Sequence, residues 1–461
     1  MKKAVIWHQN DVHARFERFA GAAFYLKQHA DAEKDLILDA GDFSDTMDVT
    51  VCGTNGAGPM ELLKHCGFDA AVPGNNEFFM GPQALEAMAC VFGHMICANI
   101  EKLNHEKIAG IRAYELIEKN GVRFLIIGLT PYFNGPAASD FTDMAGIRTY
   151  EPFGEISRIQ QECAGKYDLC ILLSHCGIRT DRQIAERTKV HLIIGGHSHT
   201  EMDGAECADG VYIHQCGCFG KFLGKTEIFL DDDMHIQDVR ACSIDVSGMP
   251  ADGETMRIYL EQKEIAEKAL SAVLFEIDEE LDYDACRECR AANAAADALY
   301  DLCRCDMALI NNGILEKGIG RQITEKSLIE ASPSGLYPTS VYWYGSKIRS
   351  ALEASRETER IRGSGKGSGF RGTRLGTLAV SRNVRILNGG REILVDGIPL
   401  DDCRLYHVMT SDYLQRGTGY EMLGPSETET EYFRGYIRDL LEAALKDPEF
   451  VKQTAVRRIY E

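Results

Sequence analysis

Seven side chains that can bind metal ions occur in the first half of the sequence, each shortly after an apolar run. They are Asp11, His13, Asp42, Asn75, His175, His197 and His199. Carboxylate, amide and imidazole donors without a thiolate suit two hard or borderline divalent ions, such as Mn²⁺, Zn²⁺, Co²⁺ or Mg²⁺. Asp42 is the expected bridge, because one carboxylate offers an oxygen to each of two cations. A water held by both ions is nucleophilic at neutral pH, and the same ions neutralise charge that grows on a phosphoryl group.

A single histidine of this kind is more often an ordinary core or surface residue. It is the ordered set, with each member following a strand-like run, that favours a metal site over that simpler interpretation.

Short apolar runs that alternate with helical segments must position these donors. The runs are Ala4–Trp7, Asp35–Asp39, Ala70–Pro73, Leu169–Leu173 and Val190–Ile194. Between them, residues 16–29 and 81–92 have the apolar spacing of helices. Short buried strands that alternate with helices indicate an α/β layered sheet, and such sheets place binding groups at the carboxyl ends of their strands. We therefore expect the donors to meet along one edge.

Five short motifs contain the seven donors. They are Asn10-Asp11-Val12-His13, Gly41-Asp42, Gly74-Asn75-Asn76-Glu77, Ser174-His175 and Gly196-His197-Ser198-His199. Their order and spacing resemble the calcineurin-like metallophosphoesterases, in the branch of 5′-nucleotidases, UDP-sugar hydrolases and 2′,3′-cyclic phosphodiesterases. The resemblance implies the metallophosphoesterase fold, a two-layer β-sandwich flanked by helices. It implies one metal ion bound by Asp11, His13, Asp42 and His199, and a second bound by Asp42, Asn75, His175 and His197.

The third motif departs from the family pattern at two positions. The family's usual sequence is Gly-Asn-His-Glu followed two residues later by Asp, and that His and Asp stabilise the transition state or assist the leaving group. This chain has Asn76 and Phe79 there. Asn76 is the candidate catalytic residue, since its amide can donate a hydrogen bond to a phosphoryl oxygen, but an amide cannot protonate an alkoxide. We therefore expect a preference for diphosphates or activated esters over AMP.

The second half of the chain resembles the family's C-terminal nucleotide-binding domain. The expected organisation is a metallophosphoesterase domain over residues 1–246, a linker helix over residues 247–271, and an α+β substrate-binding domain over residues 272–461. The segment from Asp306 to Ile314 matches a family motif that contains Asn312, although Leu315 replaces the arginine that ordinarily ends it.

The candidate substrate contacts lie in this second half. They are Asn312, Phe370, Arg371, Arg374 and Tyr420. Tyr420 is expected to stack on a nucleobase, because every base offers an apolar face to an aromatic ring. Core packing beside Met422 and Leu423 is an equally weighted alternative. Phe370 is the candidate opposing aromatic, and the two arginines are candidates to replace the missing cationic contact to phosphate.

Composition narrows the classes of partner. The 461 residues include 70 acidic and 50 basic side chains, a formal net charge of −20, which disfavours nucleic acid and anionic membranes. No apolar run approaches the ~18 residues that a membrane-spanning helix needs, and the first residues do not resemble a signal peptide. The 16 cysteines are then expected to be reduced thiols in the cytoplasm.

Two hypotheses follow from the sequence. The first is a two-metal hydrolase that cleaves phosphoester or diphosphate bonds of nucleotides or nucleotide sugars with a metal-activated water. The second is a metal-retaining nucleotide-binding or regulatory protein with little turnover. The donor set favours the enzyme, whereas Asn76 and Phe79 favour the binding protein.

Overall fold

The backbone of the computed structural model is described for residues 2–132, 145–367 and 369–460. Its internal contacts divide the chain into two units, Met1–Glu267 and Lys268–Glu461. Each unit has its own sheets, and the buried hydrophobic residues of each unit cluster separately from those of the other.

Two mixed sheets form the first unit. In spatial order, the five strands of one sheet are Ile236–Asp245, Phe222–Leu230, Lys2–Gln9, Leu36–Asp39 and Ala70–Ala71. The six strands of the other are Glu206–Ala208, Val211–His214, Leu192–Gly195, Leu169–Ser174, Val122–Leu129 and Tyr114–Lys119. A separate antiparallel pair joins Ile100–Lys102 to Ile147–Thr149. In the six-stranded sheet the central strands pair in parallel and an antiparallel strand lies at each edge. In the five-stranded sheet the last three strands pair in parallel and the first two pair antiparallel.

Alternating side chains of the six-stranded sheet face two different cores. Ile171 and Leu173 belong to the core that includes the five-stranded sheet, whereas Cys170 and Leu172 belong to a second core with Ile159 and other helical residues. Because successive side chains of a strand point to opposite faces, this division indicates a sheet covered on both sides. The predicted two-layer β-sandwich flanked by helices is confirmed.

The helices of the first unit connect these strands. They are Phe16–His29, Val49–Gly53, Ala57–His65, Asn75–Phe78, Pro82–Phe92, Phe153–Glu162, Ile178–Arg187 and Gly253–Leu270, the last of which extends into the second unit. The helix Phe16–His29 buries Phe16, Phe19, Ala20 and Ala23, which is the one-sided spacing that packs an amphipathic helix onto a sheet.

The last helix of the first unit falls where the sequence predicted a linker over residues 247–271. The structure has this helix at Gly253–Leu270, and the two units divide inside it, between residues 267 and 268. Tyr259 packs its ring 5.4 Å from that of Phe16, so most of the helix belongs to the first unit.

The second unit is the predicted α+β domain. Its five-stranded sheet has the order Leu378–Val380, Met307–Asn311, Leu405–Ser411, Pro338–Tyr344 and Glu431–Tyr432. Smaller antiparallel sheets contain Val273–Glu276 with Gln322–Thr324, and Val384–Leu387 with Glu392–Val395 and Ile398–Pro399. The helices are Arg290–Leu302, Glu325–Ala331, Gly345–Ala354, Thr358–Arg362, Asp412–Gln415, Ile437–Ala444 and Pro448–Gln453, with 3₁₀ turns at Asn312–Ile314 and Asn388–Gly390.

The helix Arg290–Leu302 is rich in alanine, and its residues from Ala291 to Leu299 are all buried.

Among the described residues, no helix is both long enough and apolar enough to cross a bilayer.

Candidate metal centre

The predicted donors lie where parallel strands of both sheets end. Asp11 and His13 follow Lys2–Gln9, and Asp42 follows Leu36–Asp39. From the other sheet, His175 follows Leu169–Ser174 directly, and His197 follows Leu192–Gly195. The donors therefore come from two layers of the sandwich, not from a single sheet. We call this cluster of seven predicted donors the candidate metal centre.

Asp11, His13 and His199 form one group of potential ligands, whose donor atoms all lie within 4.8 Å of one another. The Nε2 atoms of His13 and His199 are 3.0 Å apart, and both face Oδ1 of Asp11, at 3.7 Å and 3.3 Å. Two imidazoles and one carboxylate thus converge on one point.

A second group, with the same spacing limit, contains Asp11, Asp42 and His175. Nε2 of His175 is 3.3 Å from Oδ2 of Asp42 and 3.7 Å from Oδ1 of Asp11. Oδ2 of Asp42 also lies 3.7 Å from Nε2 of His13. Asp11 is common to the two groups, and Asp42 lies between a histidine of each.

The two remaining donors are hydrogen-bonded to one another. Nδ1 of His197 donates to Oδ1 of Asn75 at 2.8 Å, and the backbone N–H of His197 donates to Oδ2 of Asp11 at 2.9 Å. The rings of His175 and His197 are 5.3 Å apart. All seven predicted donors are therefore brought together by the fold.

The backbone around these donors is strained. Non-glycine residues with positive φ include Asp11, His13, Ala14, Asp42, His197, His199 and Phe219. The left-handed region costs roughly 1–2 kcal/mol per residue for L-amino acids, and such residues persist where the surrounding structure fixes them, often at functional sites.

Glu77 and Gly74 hold the loop that carries Asp42. The buried carboxylate of Glu77 accepts hydrogen bonds from the backbone N–H groups of Asp42, Gly74 and Ser44, at 3.0, 2.8 and 2.7 Å. A Cβ on Gly74 would lie 2.2 Å from Oδ1 of Asp42, so only glycine allows this close approach. Burial, together with the charge of Asp42, raises the pKa of Glu77 to about 8.

The electrostatic field of the cluster favours positive charge. Burial alone would lower the pKa of His175, but the charges of Asp42 and Asp11 outweigh it and raise that pKa to about 10. At His199, burial is likewise outweighed, here by the interaction with Asp11, and the pKa rises to about 10. Two buried carboxylates therefore stabilise cations at this position.

The hydrogen bonding of His175 fits a metal ligand. Its Nδ1 is 2.6 Å from the carbonyl oxygen of Ala40, so Nδ1 carries the proton that is donated to that oxygen. The buried Nε2 atom has no hydrogen-bond partner among the described residues and faces the carboxylates of Asp11 and Asp42. The carboxylates favour a positive charge at this nitrogen, either a proton or a metal ion, and a backbone acceptor on the other ring nitrogen is the usual support of a metal-bound histidine.

Asp181 and Gln215 form a buried network that sequence analysis missed. Asp181 accepts from the hydroxyl of Ser174 at 2.6 Å and from the amide of Gln215 at 3.2 Å. The Oε1 atom of Gln215 accepts from the hydroxyl of Ser198 at 2.9 Å. The network thus joins the residue before His175 to the residue between the last two histidines. No spacing in the sequence marks this pair, because the two residues belong to separate elements. Asp181 lies on the helix Ile178–Arg187, and Gln215 follows the strand Val211–His214.

Asn76 and Phe79 occupy the positions of the family dyad. The side-chain amide of Asn76 donates to Oδ2 of Asp42 at 2.7 Å, and its backbone N–H donates to Oδ1 at 2.8 Å. Phe79 packs its ring 4.6 Å from that of Phe78. Asn76 therefore orients a candidate metal ligand, and neither position carries a titratable proton.

The candidate substrate contacts of the second unit are largely in its core. Tyr420 is completely buried and donates its hydroxyl hydrogen to the carbonyl of Gly376 at 2.7 Å. Phe370 is also buried, with its ring stacked 4.8 Å from that of Tyr413. In this structure the base-stacking assignment of Tyr420 is wrong, because no face of a fully buried ring is available to a base. The core-packing alternative describes it.

The other candidates of the second unit differ in exposure. Asn312 is buried, and its amide donates to the backbone carbonyls of Asp284 and Arg287 at 2.9 and 2.8 Å. Arg374 is exposed, whereas Arg371 is partly buried and donates from Nη1 to the carbonyl of Phe370 at 3.0 Å. Of these three, Arg374 is the side chain most accessible to an anion.

Comparison with known proteins gives the class to which this architecture belongs. A family model for calcineurin-like phosphoesterases matches residues 4–201, and one for the 5′-nucleotidase C-terminal domain matches residues 270–425. The chain belongs to the calcineurin-like phosphoesterases that carry a 5′-nucleotidase C-terminal domain, and it is by this family a phosphoester hydrolase.

Individual relatives cover both units. The uncharacterized metallophosphoesterase YunD of Bacillus subtilis (strain 168) is 25% identical over 465 residues, which span 95% of this chain and 98% of that protein. The NAD nucleotidase of Haemophilus influenzae has a TM-score of 0.65 at 15% identity, with 97% of each chain covered. A 5′-nucleotidase precursor from Thermus thermophilus has a TM-score of 0.58 at 21% identity and covers 100% of this chain and 99% of its own. The structural likenesses show a shared fold.

Proposed function

We propose that this protein is a two-metal hydrolase of phosphoester or diphosphate bonds in nucleotides or nucleotide sugars. The observation that carries the proposal is the pair of adjacent donor groups at the carboxyl ends of strands from both sheets, with the carboxylate of Asp42 between a histidine of each group. A carboxylate shared between two donor groups is the arrangement expected for two adjacent cations. A single structural ion does not require a shared ligand.

The donor chemistry limits the metal. We assign one ion to Asp11, His13, Asp42 and His199, and the other to Asp42, Asn75, His175 and His197. Oxygen and imidazole donors are suited to Mn²⁺, Zn²⁺, Co²⁺ or Mg²⁺. When bound, two such ions supply a water of lowered pKa and neutralise charge on the phosphoryl group.

The protein's own residues hold these donors in place. Asn76 fixes both oxygens of Asp42 through its amide and its backbone N–H. Glu77 fixes the backbone of the same loop. Ala40 orients His175 through its carbonyl oxygen. Because these contacts are already formed, binding of substrate requires little reorganisation of the donors.

Neither of the two positions that correspond to the family dyad can supply a proton to the leaving group. An alkoxide leaving group benefits from general acid catalysis, which typically contributes about 10² to 10⁴ in rate, and neither Asn76 nor Phe79 donates a titratable proton. A phosphate that leaves from a diphosphate is already stable as an anion. The proposed preference is therefore for nucleotide sugars, other diphosphates or activated esters over AMP.

Restoring the family dyad tests this preference. The double variant Asn76→His with Phe79→Asp is expected to raise kcat/KM for AMP at least about 10-fold more than kcat/KM for a UDP-sugar, since only the monoester needs a proton donor. The matched control is Asn76→Gln with Phe79→Asn, which alters the same positions without a titratable group. Native protein that hydrolyses AMP faster than every diphosphate and activated ester, under the same metal conditions, contradicts the proposal.

The same departure favours a second candidate, a nucleotide-binding or regulatory protein that keeps the metals with little turnover. A panel of AMP, a UDP-sugar, a 2′,3′-cyclic nucleotide and an aryl phosphodiester, assayed with each divalent ion in turn, separates the two. Nucleotide binding without hydrolysis under any of these conditions selects the second candidate.

The remaining partners belong to the same proposal. A net charge of −20 disfavours nucleic acid and anionic membrane surfaces as ligands. We further propose a cytoplasmic location, because the 16 cysteines are all free thiols, as expected in a reducing compartment.

A further inference from the structure

Phe219 is an exposed aromatic residue at the edge of the candidate metal centre. Its side chain is 37% exposed, and its backbone has a φ of +59°. A phenylalanine that stays exposed does not contribute the favourable free energy of burying its ring. The left-handed backbone conformation adds strain. Two unfavourable features at one surface residue point to a role beyond folding.

The contacts of Phe219 place it against two metal-ligand candidates. Its ring centroid is 5.5 Å from those of both His13 and His199. Its backbone N–H donates to the carbonyl of Asp11 at 2.7 Å. The strained turn is therefore fixed to the loop that carries the donors, and its ring borders one side of the candidate metal centre.

Arg15 lies on the same ring. Its guanidinium carbon is 5.8 Å from the centroid of Phe219, within the range of a cation–π contact. The side chain is exposed, and it forms no hydrogen bond or ion pair with any residue of the described segments. Arg15 is two positions beyond His13 in the chain.

An unpaired arginine is informative in a protein with a net charge of −20. Some exposed arginines of the first unit are neutralised: Arg182 pairs with Glu206, Arg123 with Asp168, and Arg158 with Glu155. Others, such as Arg179 and Arg187, form no ion pair among the described residues, and what distinguishes Arg15 is its place on the ring of Phe219. Arg15 leaves all its donors available beside the candidate metal centre. The planar guanidinium binds phosphate through two parallel hydrogen bonds.

We propose that Arg15, held against Phe219, binds the second phosphate of a diphosphate substrate whose first phosphate is bound at the candidate metal centre. This inference rests on the proposed function and specifies its substrate class. The ring of Phe219 restricts the orientations that the guanidinium of Arg15 can adopt. The positive charge of the guanidinium compensates the extra negative charge that a diphosphate has relative to a monophosphate.

Binding of inorganic anions tests the proposal without turnover. The full chain is loaded with Mn²⁺ and titrated calorimetrically with inorganic phosphate and with imidodiphosphate, whose bridging nitrogen replaces the scissile oxygen. Arg15→Gln is expected to weaken imidodiphosphate about 10- to 100-fold, the range for a lost hydrogen bond between charged groups. Phosphate is expected to change less than about threefold. Arg15→Lys keeps the positive charge but loses the planar group that donates two parallel hydrogen bonds. Its affinity for imidodiphosphate is expected to lie between those of the native protein and Arg15→Gln.

Phe219→Leu tests the contribution of the ring. It keeps an apolar cover over the histidines but removes the π face, and imidodiphosphate affinity is expected to fall about two- to fivefold, as for an exposed cation–π contact. Metal content is expected to be unchanged. A loss of bound metal in this variant overturns the role of the ring, because Phe219 then serves only to pack the ligands.

Arg240→Gln is the matched control. Arg240 also lies over an aromatic ring, at 4.9 Å from the centroid of Phe229, on the strand Ile236–Asp245, and its substitution removes the same charge. It is expected to leave both affinities unchanged. The proposal is overturned if Arg15→Gln weakens phosphate and imidodiphosphate equally, or if Arg240→Gln has the same effect. A protein that hydrolyses no substrate but shows the Arg15 selectivity contradicts the proposed function alone.

Discussion

Asp42 is the side chain on which the candidate metal centre most depends, because it is assigned to both ions and its Oδ2 atom lies near a histidine of each donor group. His199 belongs to only one of the two donor groups, in contact with His13 and Asp11. Both residues have left-handed backbone conformations, so their positions are set by the loops and not by local preference. Substitutions at the two residues are therefore expected to have different consequences for metal content.

His199→Ala is expected to remove one of two bound ions, and Asp42→Asn is expected to remove both. Hydrolytic activity is expected to fall about 100-fold or more in each, because charge on the phosphoryl group is no longer fully neutralised. Metal content by plasma mass spectrometry, with activity on an aryl phosphodiester, measures both effects. His235→Ala is the control, since this side chain is 76% exposed. Either variant with native metal content and native turnover contradicts the two-ion assignment.

At the scale of elements, the two sheets of the first unit meet at a buried pair of histidines. His8, on the strand Lys2–Gln9, places Nε2 2.9 Å from Nδ1 of His214, on the strand Val211–His214. Nε2 of His214 faces the carbonyl of Met202 at 3.1 Å, so that nitrogen carries the proton and Nδ1 accepts from His8. Gly224 makes room for the pair, since a Cβ there would lie 2.2 Å from Cε1 of His8.

This pair of histidines makes the free energy of unfolding of the first unit depend on pH in a defined way. Burial lowers the pKa of His214 from its ordinary value of 6.5 to about 4. Between those values the unfolded chain binds a proton that the folded chain does not, so stability rises with pH up to about 6.5 and falls below it. His214→Gln is expected to reduce the stability lost between about pH 7 and about pH 5 by about 2 kcal/mol.

Urea unfolding at both pH values, with metal removed by a chelator, measures this difference. Exposed His29→Gln is the control and is expected to keep the native pH dependence. If His214→Gln loses as much stability on acidification as native protein, the buried histidine takes up its proton without cost in the folded state, contrary to this account.

At the scale of the whole molecule, the second unit has a buried ion pair of its own. Arg458 and Asp297 are both completely buried, with Nη2 and Oδ2 2.6 Å apart. Nη1 of Arg458 also donates to the carbonyl of Asn293 at 3.3 Å and to that of Val380. The pair therefore fixes the end of the chain to the helix Arg290–Leu302 and the strand Leu378–Val380.

Arg458→Met is expected to destabilise the second unit by about 3–5 kcal/mol, because it leaves the carboxylate of Asp297 buried without its paired charge. Hydrogen exchange by mass spectrometry is expected to show the loss of protection within residues 268–461, where all these contacts lie. Adding Asp297→Leu is expected to restore much of the stability, since an apolar pair of similar volume is well tolerated. Unchanged protection in the single variant contradicts this role of the ion pair.

Local patterns along the chain were enough to predict the α/β class of the first unit, whereas the α+β class of the second was implied by the family resemblance. They also located the donors along the chain, because runs such as Leu169–Leu173 are local and binding groups such as His175 follow them directly. The resemblance carried by five motifs supplied the family. These features depend on residues near one another in sequence, so they are readable without coordinates.

Which groups meet could be learned only from the folded chain. His13 and His199 are 186 positions apart, yet their Nε2 atoms are 3.0 Å apart. The contacts of Gln215 with Asp181 and of Arg15 with Phe219 also join residues that are distant in sequence. Tyr420, which the sequence left open between stacking and packing, is buried by residues from separate elements. Such proximities follow from sheet order and register, and each register is fixed by the packing of the whole unit instead of by any one segment.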